Sequence, residues 1–410
     1  MIDFYGIFSG LFCLLITLIF ILYRLSTFKL LTNKLLTIIV ISFVCHIVAT
    51  QVYYLIPSDS AVNFFPNASL KAFGFGTKMA YFISALLKNI GFTTLLSQLY
   101  FSNAMGLLGS YFQCCLYILL ARECGVQDKN HSYIVYSIIW LWPSFVFWTT
   151  GIGKDSLMFL GVSIFFTALK LYKYHFKKSV VLLLFSTIIL WMLRPQIFMP
   201  IFFAVFLVNF FSNKISLKSK IITVLLVTGF ISIMMPNILL YGAKTHEFNL
   251  LSIESHALTL QSAQAIGTSF SPPTQNPKYL LLFLPYTACA NLFFPLFIGI
   301  KNLIGFFASI ENILFIFLLY NYIVFRSKFL DPLTLSTQKF IKYAEFYFIS
   351  GIALLGLINT NLGLAMRQKI MFISPLIILI AVSRSWQLQN KRAIRYNRIN
   401  KLLYRKSSVT

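Results

Sequence analysis

The chain has 410 residues, of which 58% are hydrophobic and 11% charged, and its mean hydropathy is +0.80. Soluble domains average about 25% charged residues, so this composition excludes an ordinary soluble domain and defines a polytopic membrane protein. The net charge of +24 does not point to nucleic acid, because its basic residues lie in short loops beside apolar segments rather than on one soluble face.

The N-terminus opens Met1-Ile2-Asp3-Phe4 with no basic n-region, and the first apolar run, about 7–23, is followed by Arg24 rather than by a small-residue cleavage site. It reads as a retained helix, not a removed signal. A spanning helix needs roughly 20 apolar residues. About eleven such segments follow one another: 6–23, 35–55, 97–121, 132–149, 157–172, 179–193, 196–212, 221–240, 304–324, 344–361 and 368–384. The expected fold class is therefore all-α: one transmembrane helix bundle over 1–384, followed by a basic tail over 385–410.

Loop charges set its orientation. If the first helix runs inward, the inner loops hold Arg24, Lys29, Lys34, Arg122, Lys129, Lys170, Lys173, Lys177, Lys178, Lys214, Lys218, Lys220, Arg326, Lys328, Lys339 and Lys342. The tail adds Arg384, Lys391, Arg392, Arg395, Arg398, Lys401, Arg405 and Lys406. The positive-inside rule makes that side cytoplasmic, with the N-terminus out and the C-terminus in. The tail's charges are explained by topology and by anionic membrane lipid.

Two outer loops, 56–96 and 241–303, are too long to be turns. The first contains a helical segment at 78–89, expected to lie in the interface. The second ends in an apolar stretch, 279–297, broken by Pro285 and Pro295. That stretch reads as re-entrant, interfacial or one more span. No internal repeat is visible, which weakens a transporter built on inverted halves.

Ten basic residues remain for the outer side. Lys71, Lys88, Lys244 and Lys278 read as solvated loop charges. Lys154, Arg194, Arg367 and Lys369 differ, because each lies in a tight turn between apolar helices. A guanidinium fork suits bidentate phosphate recognition, and a lysine supplies a point charge to the same group. Singly, such a residue is an anchor that snorkels to the headgroups. Three cationic turns on one face instead suggest a shared anion site.

Among the acids, Asp155 either pairs with Lys154, caps the helix starting at Ser156, or takes part in catalysis. Asp59 lies in the first outer loop and is a candidate general base. Glu311 falls inside an apolar helix and needs a cation, with Arg194 and Arg367 as the candidates. His246 and His256 in the second long loop are either bases or solvated histidines. The glycines and lysine of Gly151-Ile152-Gly153-Lys154-Asp155-Ser156 lack the full phosphate-loop pattern and no strand precedes them, so this is not a nucleotide loop. No His/Cys cluster has metal-ligand spacing, and no metal or cofactor is expected.

Pro143-Ser144-Phe145, the run Phe147-Trp148-Thr149-Thr150-Gly151-Ile152-Gly153-Lys154-Asp155, Leu193-Arg194-Pro195, Ser309-Ile310-Glu311-Asn312, and Asn361-Leu362-Gly363 with Arg367-Gln368-Lys369 resemble segments of bacterial surface-polysaccharide proteins. These are O-antigen polymerases of the Wzy type and related membrane glycosyltransferases of the GT-C kind. The resemblance covers roughly residues 50 to 380. It departs at Phe294, where a basic residue is expected before Pro295.

The resemblance implies a metal-independent inner-membrane glycosyltransferase with a GT-C-like fold. It would polymerise undecaprenyl-diphosphate-linked repeat units of O-antigen or capsule at the periplasmic face, with a chain-length regulator protein among its partners. Lys154, Arg194, Arg367 and Lys369 would hold the diphosphates, and Asp155, Glu311 and Asp59 are the acid candidates. The alternatives are a GT-C transferase using a polyprenyl-phosphate sugar and a lipid-linked oligosaccharide flippase.

Overall fold

The computed structural model describes residues 4–127 except 57 and 59, 133–210 except 153, 282–297, 300, 303–358 and 362–407. Thirteen α-helices and no strand occur among these residues. They are α1 (Phe4–Thr27), α2 (Asn33–Leu55), α3 (Thr77–Asn89), α4 (Leu95–Glu123), α5 (Tyr133–Trp140), α6 (Pro143–Trp148) and α7 (Asp155–Leu171). Then come α8 (Phe176–Leu193), α9 (Pro195–Phe210), α10 (Leu284–Phe293), α11 (Leu303–Leu330), α12 (Leu335–Ile358) and α13 (Leu362–Ser407).

Six of the described helices contain stretches long and apolar enough to cross a membrane: Tyr5–Thr27, Asn33–Leu55, Leu95–Glu123, Phe176–Leu193, Gly305–Leu330 and Ala365–Ile394. The chain is a multi-pass helical membrane protein. The segments 157–172, 196–212 and 344–361 are also helical, as α7, α9 and α12. The expected span 221–240 lies outside the described residues.

Local chemistry explains several boundaries. Thr32 Oγ1 accepts from Leu35 N at 3.2 Å and starts α2. Thr94 and Ser97 exchange side-chain and backbone bonds at 3.1 and 3.2 Å, a capping box that satisfies two of the first-turn amides of α4. The single span expected over 132–149 is instead two short helices. Pro143 has no N–H and disfavours helical geometry in the residue before it, so Trp142 is extended (φ −62°, ψ 118°) and α6 begins with Pro143 at its first position. The described part of the apolar stretch 279–297, residues 282–297, holds the ten-residue α10, which is about 15 Å long and by itself too short to cross a hydrocarbon core of about 30 Å.

The centre of the bundle is α13. Its residues 365–383 are all buried, and α4, α5, α6, α7, α10, α11 and α12 all touch the helix. Its sequence gives the reason. From Ile370 to Val382 apolar residues point in every direction, interrupted only by Ser374 and Pro375, and a helix apolar all round is stable only when covered. The basic segment after 384, expected as a tail, continues the same helix to Ser407.

Small residues allow close approach, as in other membrane bundles. A Cβ on Gly356 of α12 would come within 2.8 Å of the Ala288 backbone nitrogen in α10, and backbone cannot step aside as a side chain can. Gly356→Ala should therefore destabilise the bundle by about 1–3 kcal/mol. Thermal unfolding in detergent measures this, and an unchanged midpoint would show slack between α10 and α12.

Polar groups fix which helix ends lie together. The Glu123 carboxylate at the end of α4 pairs with Lys170 at the end of α7 and accepts from Thr337 Oγ1 at the start of α12. It also accepts from Tyr174 Oη at 2.7 Å, a bond that holds the phenol above its ordinary pKa. Arg326 near the end of α11 makes a bidentate pair with Glu345 of α12 at 2.6 and 2.7 Å. The ends of α4, α7 and α11 and the start of α12 thus share one end of the bundle, which groups the basic loops as their charges do. The start of α7, with Asp155, lies at the other end.

Candidate anion-binding site

Asp155 is the first residue of α7 and is fully buried. Its Oδ1 accepts from Arg194 Nη2 at 2.9 Å, and its Oδ2 accepts from Arg367 Nε. Arg194 follows the last residue of α8, where the extended backbone (φ −152°, ψ 85°) and Pro195 end one helix and begin the next. Arg367 sits in the first turns of α13. Three helices distant in sequence therefore meet at one carboxylate, with Arg194 6% and Arg367 8% exposed.

Glu311 and Lys369 form a second, adjoining cluster. Glu311 Oε2 accepts from Ser144 N at 2.9 Å and Ser144 Oγ at 2.7 Å, and it interacts electrostatically with Lys369. Lys369 Nζ donates to Leu292 O at 3.2 Å and to Asn312 Oδ1. Asn312 Nδ2 in turn donates to Phe293 O at 2.8 Å and Pro295 O at 3.2 Å. Lys369 is thus tied to the end of α10 as well as to a carboxylate, and both charges are buried.

Lys154 points elsewhere, donating to Thr77 Oγ1 at 2.8 Å in the first turn of α3. Two further bonds join the segment around α3 to the same region: Ile152 N donates to Ser60 Oγ at 2.9 Å, and Gly76 N donates to Met192 O at 2.8 Å. Gly76 has φ +63°, a left-handed conformation that suits glycine. Gly151 packs tightly on Tyr53, where an added Cβ would lie 2.7 Å from the hydroxyl. The segment 58–92 is therefore strapped across the knot before α7 and the end of α8.

Several expectations change. Asp155 neither pairs with Lys154 nor caps the helix: the helix starts with it, and Lys154 occupies the N-cap position without a side-chain cap. Two guanidinium groups hold the carboxylate instead. Glu311 takes Lys369 as its cation, because Arg194 and Arg367 converge on Asp155. Lys88 is half-buried in the last turn of α3 rather than in a loop. It donates to Phe65 O at 2.8 Å and lies 3.9 Å from the Phe65 ring centroid, and burial pushes its ammonium below the ordinary lysine pKa. The helix expected at 78–89 is α3. Asp59 lies outside the described residues, as do His246 and His256.

Of the expected site residues, the structure brings together Asp155, Arg194 and Arg367 as one group and Glu311 with Lys369 as another, and it places Lys154 at the rim. Ser144, Asn312, Thr77 and Ser60 were not singled out in the sequence. A serine after Pro143 at a helix start offers a backbone N–H and a hydroxyl together, which is the one signal that pointed to Ser144. Among the described residues no three His, Cys, Asp or Glu side chains lie together as a metal site would require. Counting Lys154, Arg194, Arg367 and Lys369 against Asp155 and Glu311 leaves two positive charges in excess within these six.

No family model, no curated protein and no solved structure matches the chain. The class its fold defines is a multi-pass α-helical membrane protein. Within that class, it gathers the buried charges of Asp155, Arg194, Arg367, Glu311 and Lys369 in two adjoining groups.

Proposed function

We propose that the chain is a glycosyltransferase of bacterial surface-polysaccharide synthesis, polymerising undecaprenyl-diphosphate-linked repeat units at the periplasmic face of the inner membrane. The observation that carries this reading is the pair Arg194 and Arg367, brought from α8 and α13 to within hydrogen-bond distance of one carboxylate. Paired guanidinium groups recognise planar or tetrahedral oxyanions. The lipid diphosphate is such an anion, and it is also the leaving group of the reaction.

In that reaction a hydroxyl of one lipid-linked unit attacks the anomeric carbon of another. The new glycosidic bond forms as the carbon–oxygen bond to the diphosphate breaks, and polyprenyl diphosphate leaves with the negative charge. Arg194 and Arg367 would stabilise that developing charge, with Lys154 at the rim. The hydroxyl proton passes to a base or to the departing phosphate. Asp155 and Glu311 are both engaged by cations and donors, which favours an electrostatic role for them over proton abstraction.

Arg194→Lys keeps a positive charge beside Asp155 but removes the fork, so the bundle should insert normally while long surface glycan falls roughly 100-fold. Electrophoretic banding of glycan from cells with equal protein levels measures this. A wild-type ladder would overturn the reading.

One observation favours a second reading, a lipid-linked oligosaccharide flippase: Lys369 and Glu311 are buried within apolar helices, as charges on a translocation path are. Untranslocated repeat units would then accumulate on the cytoplasmic leaflet in a deletion strain.

A further inference from the structure

We infer that Asp155 is an internal counter-anion occupying the seat that a ligand phosphate takes, and that ligand entry displaces its carboxylate from Arg194 and Arg367. This rests on the reading of the arginine pair as a phosphate site. Both oxygens of Asp155 are engaged, one by each arginine. Asp155 is fully buried and the arginines are less than 9% exposed, so a phosphate seated between the same two nitrogens, Arg194 Nη2 and Arg367 Nε, needs the place the carboxylate holds. One anion has to leave for the other to enter.

The start of α7 offers the carboxylate somewhere to go. Lys154 precedes it, and the first turn of α7 has no side-chain cap, so its amides form a positive end near which an aspartate is stabilised. A short turn of the Asp155 side chain toward Lys154 exchanges one cationic partner for another while the arginine pair takes the phosphate. In the closed state the carboxylate offsets one of the two buried guanidinium charges and bonds to both groups without a ligand, so an empty site does not leave a pair of bare charges in the membrane.

A positioning residue and a counter-anion predict opposite signs. If Asp155 only holds the arginines in place, its loss weakens anion binding; if it competes for them, its loss strengthens binding. The test is calorimetric titration of the full chain in nanodiscs with inorganic pyrophosphate and, separately, with farnesyl diphosphate. Asp155→Asn should bind at least ten-fold more tightly than wild type, and Arg194→Gln should bind at least ten-fold more weakly. Tighter binding of farnesyl diphosphate than pyrophosphate assigns the seat to a lipid headgroup; equal binding assigns it to phosphate of either source.

Equal or weaker binding by Asp155→Asn, with binding still lost in Arg194→Gln, overturns the counter-anion while leaving the phosphate site. If Arg194→Gln binds as wild type does, or if neither wild type nor Asp155→Asn binds, the phosphate site falls and the counter-anion with it. A measurement on wild type guards against an Asp155→Asn chain that does not fold. Isotope-edited infrared difference spectra with labelled aspartate should show a carboxylate band shifting when pyrophosphate is added. An unshifted band at saturating ligand overturns the inference.

Discussion

Arg367→Ala should destabilise the bundle by about 1–3 kcal/mol, because it removes a charged donor from one oxygen of a fully buried carboxylate that Arg194 still pairs. Most of that cost comes from the acceptor left without its donor rather than from the bond lost. Replacing the arginine and the acid together, as Arg367→Gln with Asp155→Asn, should cost less than the sum of the two single losses, since the two neutral amides can bond to each other and only Arg194 is left without its carboxylate. Unfolding of the four proteins of the double-mutant cycle in mixed micelles measures the coupling. Additive losses would show that Asp155 and Arg367 do not depend on one another. Arg194 remains in every protein of the cycle, so the coupling isolates the contribution that α13 makes to the site.

Lys369→Ala should cost about 3–5 kcal/mol, through a different route. It strips the cation from Glu311 and the donor from Leu292 O and Asn312 Oδ1 at once. Because Asn312 also holds Phe293 O and Pro295 O, the end of α10 should loosen with it. Hydrogen exchange over Leu284–Phe293 ought to rise in this variant, whereas Lys369→Met combined with Glu311→Gln should keep near-native stability and protect α10 better. Unchanged exchange in Lys369→Ala would mean that α10 is held by its apolar contacts with α12 alone.

The apolar runs made most of the helices legible in the amino-acid sequence, because a segment of suitable length with no charge has few alternatives in a membrane. α1, α2, α4 and α8 fall where such runs do. Loop charges also grouped the helix ends correctly, since Glu123, Lys170 and Thr337 meet at one end and Asp155, Arg194 and Arg367 at the other. The break at Trp142 was present in the sequence as Pro143, but the surrounding Trp, Leu and Ile kept the hydropathy high and hid it.

Partner choice was not legible. Four cations and three acids assigned to one face can pair in many ways, and the outcome depends on which helices are neighbours. Asp155 and Arg367 are separated by 212 positions, and nothing local to either residue names the other. The same holds for Lys154 with Thr77 and for Glu311 with Ser144, where an ordinary hydroxyl becomes a partner only because α3 and α6 pack where they do. Lys88 reads as a loop charge until α3 folds back over Phe65.

The burial of α13 has a consequence for how the protein is made. This helix stands later in the chain than every helix that surrounds it, and it brings both Arg367 and Lys369. Chains are synthesised from the N-terminus and their earlier parts enter the membrane first, so the surrounding helices must hold an unfilled slot until α13 arrives. During that interval Asp155 has only Arg194 of its two guanidinium partners, and Glu311 lacks its lysine. Arrival of the central helix is then both the closing step of packing and the moment at which Asp155 gains its second guanidinium partner and Glu311 its lysine.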